Sequence, residues 1–234
     1  MVNVLLNNAI SKLKNGTYKL DESIKPMDLV GIVFRRMICM IRGAIRKQGM
    51  KKCGKMLFVG KAVTLRNKNS LILGSGVTLG DYVELEALSR NGIVIGNDVK
   101  LGNYTIVRCT GNLKQIGKGV CIGDHSGFGD FCFFGASGGI RIGNNVIAGQ
   151  NVRFHSSNHN FDRVDIPIKD QGVTSKGIEV DDDCWIGSGA VFLDGVKVGR
   201  GCVIGANSLV NKNIPPYSVA VGNPVRVLKS RKSI

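Results

Sequence analysis

Large apolar residues return at every sixth position along most of the chain. The series runs Val59, Leu65; Leu73, Leu79, Leu85; Ile95, Leu101, Val107; Ile116, Ile122, Phe128, Phe134; Ile142, Ala148, Phe154, and resumes as Val180, Ile186, Phe192, Val198, Ile204, Val210. Four places after many of these stands a small or β-branched residue, among them Val77, Val83, Val99, Val120, Ser126, Cys132, Cys184, Ala190 and Cys202. An amphipathic helix needs a spacing near 3.6 and a half-buried strand an alternation of two, so a sustained period of six fits neither. It predicts a solenoid of three short faces and about 18 residues per coil. The apolar residue points into the prism and the glycine after it helps the chain round a corner. Twenty-one hexads make about seven coils, with Cys184 beneath Cys202 and Ile186 beneath Ile204.

Two segments leave this pattern. Pro26 to Lys47 follows a helical stripe of Met27, Val30, Phe34, Met37, Ile38, Ile41 and Ile45, with Arg35, Arg42 and Arg46 mostly off it. The stripe either caps the open end of the solenoid, the reading we favour, or lies on an anionic membrane. The second segment, between Phe154 and Val180, exceeds one hexad by 20 residues and holds two of the three histidines, His155 and His159. A solenoid accommodates such an insertion as a surface loop, where function concentrates. The organisation expected is a basic helical extension over 1–56, a β-solenoid over 57–214 with a loop at 155–177, and a basic tail over 215–234.

Charge refines this division. Lys and Arg number 32 against 17 Asp and Glu among 234 residues, a net charge of +15. Residues 1–70 hold 15 basic and 3 acidic side chains and residues 226–232 four basic ones, which leaves 13 basic and 14 acidic in 71–225. The body is neutral, which argues against nucleic acid as a partner. Seven cysteines, none at CxxC spacing, and the absence of a signal-like start predict a cytoplasmic protein, with the inner face of the membrane as a further location.

The hexads over roughly residues 57–228 resemble the bacterial hexapeptide-repeat acyltransferases, closest to sugar and xenobiotic O-acetyltransferases. The resemblance implies a left-handed parallel β-helix, acetyl-CoA as donor, no metal, and a homotrimer. It rests also on Cys184-Trp185-Ile186-Gly187-Ser188, on Ile214-Pro215-Pro216 and on Val221-Gly222-Asn223-Pro224-Val225-Arg226-Val227. The family's catalytic histidine sits five residues after an interior aliphatic; counting from Phe154 gives His159, with His155 one residue along. By the same resemblance Ser188 and Ala206, 18 apart, contact coenzyme A, and Arg226 and Lys212 meet its phosphates, with Lys229 and Arg231 as further cations. The family's Thr-Lys pair is Asn211-Lys212 here, and Gly129, followed by Asp130, replaces an acceptor-binding Asn.

Acetyl transfer from a thioester to a hydroxyl requires a base for the departing proton, and an imidazole suits that task near neutrality. His159 is the expected base, with His155, Asp162 and Asp130 facing a sugar or glycan acceptor. Asp165 is a further carboxylate in the same loop, and Trp185 packs near the cofactor or a subunit interface. Two other readings remain. The similar γ-class carbonic anhydrases bind zinc through three histidines, and this chain has three: His125, His155 and His159. A non-catalytic glycan-binding solenoid is the other.

Overall fold

The computed structural model describes Asp21 and residues 23–232; the stretch of the basic extension before Asp21 and Glu22 lie outside the described residues. A helix, α1, spans Pro26–Arg46, with proline at its start and Arg46 in its last turn. After it the chain winds through short strands that stack into three sheets of seven, nine and seven strands. Strands on each face pair in parallel with the coil before and after, as in Leu57↔Val77, Val120↔Ile140 and Ile186↔Ile204. The structure is the expected left-handed β-helix of seven coils. Parallel pairing begins at Lys52–Cys53 and continues to Ser218–Val221, against which Arg226–Ser230 folds back antiparallel. The segment read as a basic tail therefore contributes two strands to the second face.

The interior follows the hexads. Leu79, Leu101, Phe134, Phe154, Ile186 and Ile204 are buried, as are the smaller residues Val77, Ser126, Cys132, Cys184 and Cys202 four places after other hexad positions. Phe134, Phe154 and Phe192 stack through successive coils with ring centroids 4.9 and 4.8 Å apart, which fills the prism around the site described below.

Two expectations are corrected. Ile116 is not interior: it is 41% exposed, on an excursion between Ile106–Arg108 and Val120–Ile122, and its phase is coincidental. Lys52–Cys53 supplies the strand that keeps the count at three faces of seven coils. The glycine after each aliphatic does not turn the corner either. Positive φ falls three residues after the aliphatic, at Tyr82, Tyr104, Phe131, His125 and Asn207 among others. The glycine permits close stacking instead, since a β-carbon on Gly187 would lie 2.4 Å from the backbone nitrogen of Ala206.

The helix also packs differently from the favoured reading. A β-carbon on Gly43 would come 1.8 Å from the Leu57 carbonyl oxygen, and the Arg36 guanidinium lies 3.5 Å above the Phe58 ring. Leu29 and Gly43 are its buried residues. α1 therefore meets the first coil through Arg36 and Gly43, while the stripe that capping would have used is left outside.

Candidate active site

The long loop is anchored at both ends before it does anything else. At its entrance the buried Ser156 hydroxyl donates to the Gly135 carbonyl at 2.8 Å and accepts from the Gly138 amide at 2.9 Å. At its exit Asp194 accepts the amides of Lys176 and Gly177 at 2.9 and 2.7 Å. Within the loop, Gln171 donates to the Arg163 and Ile166 carbonyls and accepts the Arg163 amide. Asn158–His159 pairs antiparallel with Val173–Thr174. A short hairpin on a braced loop thus presents His159, exposed, at the edge of the coils.

His155 ends the strand Arg153–His155 on the third face and is half-buried. Burial first, and the nearby Arg153 cation second, hold its pKa below the ordinary 6.5, so the ring is neutral near pH 7. It lies 5.5 Å from the Phe133 ring, in a cleft of about 700 Å³ that also takes in Tyr104, Phe131, Gln150 and Arg153. Tyr82, Tyr104 and Phe131 stack at the positive-φ corner beside it, with centroids 4.8 and 5.0 Å apart and nearly parallel planes. The sequence reading missed Phe131, Phe133 and Arg153. Their signal was aromatic or charged residues on outward positions of successive coils, spread by unequal insertions.

The remaining residues divide by where the coils put them. Asp162 is exposed on the loop, and Asp165 accepts the Arg163 guanidinium Nε at 2.9 Å. Asp130 is a rung of a corner ladder: it accepts the Asn103 amide at 2.7 Å, as Asn103 accepts that of Asp81. Ser188 continues that ladder by accepting the Gln150 amide at 3.2 Å, and exposed Ala206, above it, has no side-chain acceptor to offer. Lys212 and Arg226 are exposed. Arg231 donates instead to the Gly201 carbonyl, and the strand Arg226–Ser230 holds Lys229 opposite Val219. Trp185 is exposed in register with Ile147 and Val203, an apolar column on the outside of the second face.

The three histidines do not converge. His125 stands at the corner between the first and second faces, 3.6 Å from Asp98, while His155 and His159 belong to the third face and the loop. No group of three His, Cys, Asp or Glu side chains suited to a metal occurs among the described residues of the single chain.

The coils and the braced loop define a left-handed β-helix of hexapeptide repeats. The family model described as bacterial transferase hexapeptide (six repeats) matches residues 177–212, and the chain carries the repeat of the hexapeptide transferases. It is 36% identical over 133 residues to a probable acetyltransferase of Mycobacterium tuberculosis, across 50% of this chain and 44% of that one. It is 37% identical over 89 residues to a galactoside O-acetyltransferase of Lactococcus lactis, across 38% and 42%. The chain thus spans less than half the length of these two relatives. The solved N-acyltransferase AntD of Bacillus cereus, in complex with dTDP and 3-hydroxybutyryl-CoA, shares the fold at 20% identity and a TM-score of 0.53, over 81% of this chain and 88% of that one.

Proposed function

We propose that the protein transfers an acetyl group from acetyl-CoA to a hydroxyl of a sugar or surface-polysaccharide precursor, with His159 as general base. The observation that carries this is the placement of His159: five residues after interior Phe154, on a hairpin whose loop is pinned by Ser156 and Asp194. The imidazole takes the hydroxyl proton as the oxygen attacks the thioester carbonyl. The C–S bond then breaks, and the proton passes to the departing thiolate. No covalent enzyme intermediate is needed, so positioning the two substrates supplies much of the rate.

On the donor side the pantetheine arm runs along the second-face corner over Ser188 and Ala206, with Lys212 and Arg226 meeting the phosphates. The small Ala206 leaves room there and offers no competing acceptor. On the acceptor side, His155 and Asp162 face the sugar, and the cleft between Phe131 and Phe133 suits a pyranose ring. Asp130 is already engaged by Asn103. The exposed His159 acquires its full surroundings from a neighbouring protomer of a homotrimer, a reading supported by the apolar column around Trp185.

His159→Ala should lower acetyl transfer by about 10²–10⁴, read as thiol release with a sugar acceptor. Calorimetry should show acetyl-CoA binding unchanged. Turnover at the wild-type rate would overturn the assignment.

A further inference from the structure

The outward face of α1 is apolar along its whole length. Arg36 and Gly43 are seven apart, share one side of the helix and meet the first coil, and Leu29, seven residues earlier on that side, is buried. On the other side Met27, Phe34, Ile41 and Ile45 are 80%, 59%, 57% and 63% exposed, and Val30 and Met37 continue the stripe. Exposed apolar surface of this extent marks a contact. No helix among the described residues is long and apolar enough to cross a membrane.

The charges bordering the stripe select the occupant. Arg35, Arg42 and Arg46 flank it, and Asp28 is the one acidic residue of the helix. Residues 1–20 of the sequence add three lysines and no Asp or Glu. Arg35 is paired with Asp81, but two copies meeting through this face would bring Arg42 and Arg46 of each together with little to neutralise them, a mutual repulsion. An anionic bilayer offers both halves of the complement: acyl chains for the stripe and phosphate headgroups for the guanidinium groups. The helix cannot roll to hide the stripe, because Gly43 is seated on the Leu57 carbonyl and Arg35 reaches Asp81 at 3.4 Å.

We infer that α1 is a membrane-surface anchor that lays its Met27–Ile45 face into the headgroup region of an anionic bilayer. This goes beyond the proposed acetyl transfer and does not depend on it.

The test uses the full chain and vesicles of phosphatidylcholine, alone or with about one third phosphatidylglycerol, read by co-sedimentation without substrate. Wild-type protein should sediment with the anionic vesicles and far less with the neutral ones, and about 0.5 M salt should weaken binding at least tenfold. Phe34→Glu with Ile41→Glu should abolish sedimentation while leaving thermal stability and acetyl-CoA binding unchanged, since both side chains point away from the coil. Failure of the wild type to bind anionic vesicles would overturn the anchor. So would unaltered binding by the double variant, or a loss of self-association in that variant without any vesicle binding by the wild type, which would assign the face to a second copy.

Discussion

Gly187 is packed directly on Ala206 of the next coil, so closely that a β-carbon on Gly187 would meet the Ala206 nitrogen at 2.4 Å and its α-carbon at 2.8 Å. Both obstacles are backbone, which no side-chain rotation relieves. Gly187→Ala should therefore push adjacent coils apart and destabilise the fold by about 1–3 kcal/mol. For a chain of this size that is a fall in Tm of about 2–4 °C per kcal/mol. Because the same contact sets the spacing of Ser188 and Ala206, acetyl-CoA affinity should fall with it. An unchanged melting curve would mean that the coils are not held at this spacing.

Asp130 and Asn103 make a second tie between coils, one that can be cut without touching the loop. Asp130 accepts the Asn103 amide at 2.7 Å and its side-chain amide at 3.3 Å. Asp130→Ala leaves a half-buried N–H without its acceptor, at a cost of about 1–3 kcal/mol. Asp130→Asn keeps an oxygen for it and should be milder. Neither should change KM for the acceptor. A raised KM with unchanged Tm would restore Asp130 to the acceptor site.

This ladder also marks the limit of what was legible in the sequence. The interior was legible because burial imposes one residue type at a fixed phase, and Leu79, Phe154 and Ile186 obey it. Which residues touch between coils was not, since the vertical step varies with each insertion: Trp185 lies against Val203, 18 along, but Ile93 against Val120, 27 along. Asp130–Asn103 and the Tyr104–Phe131 stack fall under that uncertainty. Ile116 shows the converse error, a residue in phase on an excursion. Within the loop, the count from Phe154 singled out His159, but the anchors Ser156 and Asp194 became visible only with the coils in place. For α1 the spacing gave the stripe correctly and was silent on which side of the helix the coil would occupy.

The ionisation of His155 gives a pH dependence of known sign. Burial and then Arg153 lower its pKa below 6.5 in the folded chain, so between the folded value and 6.5 the unfolded chain binds more protons. Stability rises with pH across that window and is lost as pH falls through it. The ring is only half-buried, so the effect is small. Imidazole titration by NMR should place the His155 midpoint below 6.5, and Arg153→Gln should move it upward. A midpoint at or above 6.5 would show that the cleft does not desolvate the ring.

Thiol chemistry should separate the cysteines by depth. Cys121 is exposed, whereas Cys109, Cys132, Cys184 and Cys202 are buried. Burial pushes Cys109 up to about 12 and Cys132 up to about 11, which denies both the thiolate form near neutrality. Alkylation of the native protein at pH 8 followed by mass spectrometry should modify Cys121 first and spare these four until the coils unfold. Acetyl transfer should survive the labelling of Cys121. Early labelling of Cys132 or Cys184 would point to open coils.

Arg226 lies at the end of the proposed donor groove. The second face stacks Trp185 on Val203 and Val203 on Val219, and Arg226 in the returning strand pairs with Val221. Buried Val225 fixes the entry of that strand. The returning strand thus holds Arg226 two strands beyond the coil of Ala206, where the proposed donor arm along the Ser188 and Ala206 corner would end. A guanidinium meets a phosphate through two parallel N–H donors, an arrangement that an ammonium cannot copy. Arg226→Gln should weaken acetyl-CoA binding about tenfold or more, raise KM for the donor and leave kcat nearly unchanged, and Arg226→Lys should recover only some of the loss. Comparison with acetyl-dephospho-CoA identifies the phosphate: if Arg226 holds the 3′-phosphate, the wild type should prefer the complete donor and Arg226→Gln should not. A preference that survives in Arg226→Gln and disappears in Lys212→Gln would move that contact to Lys212.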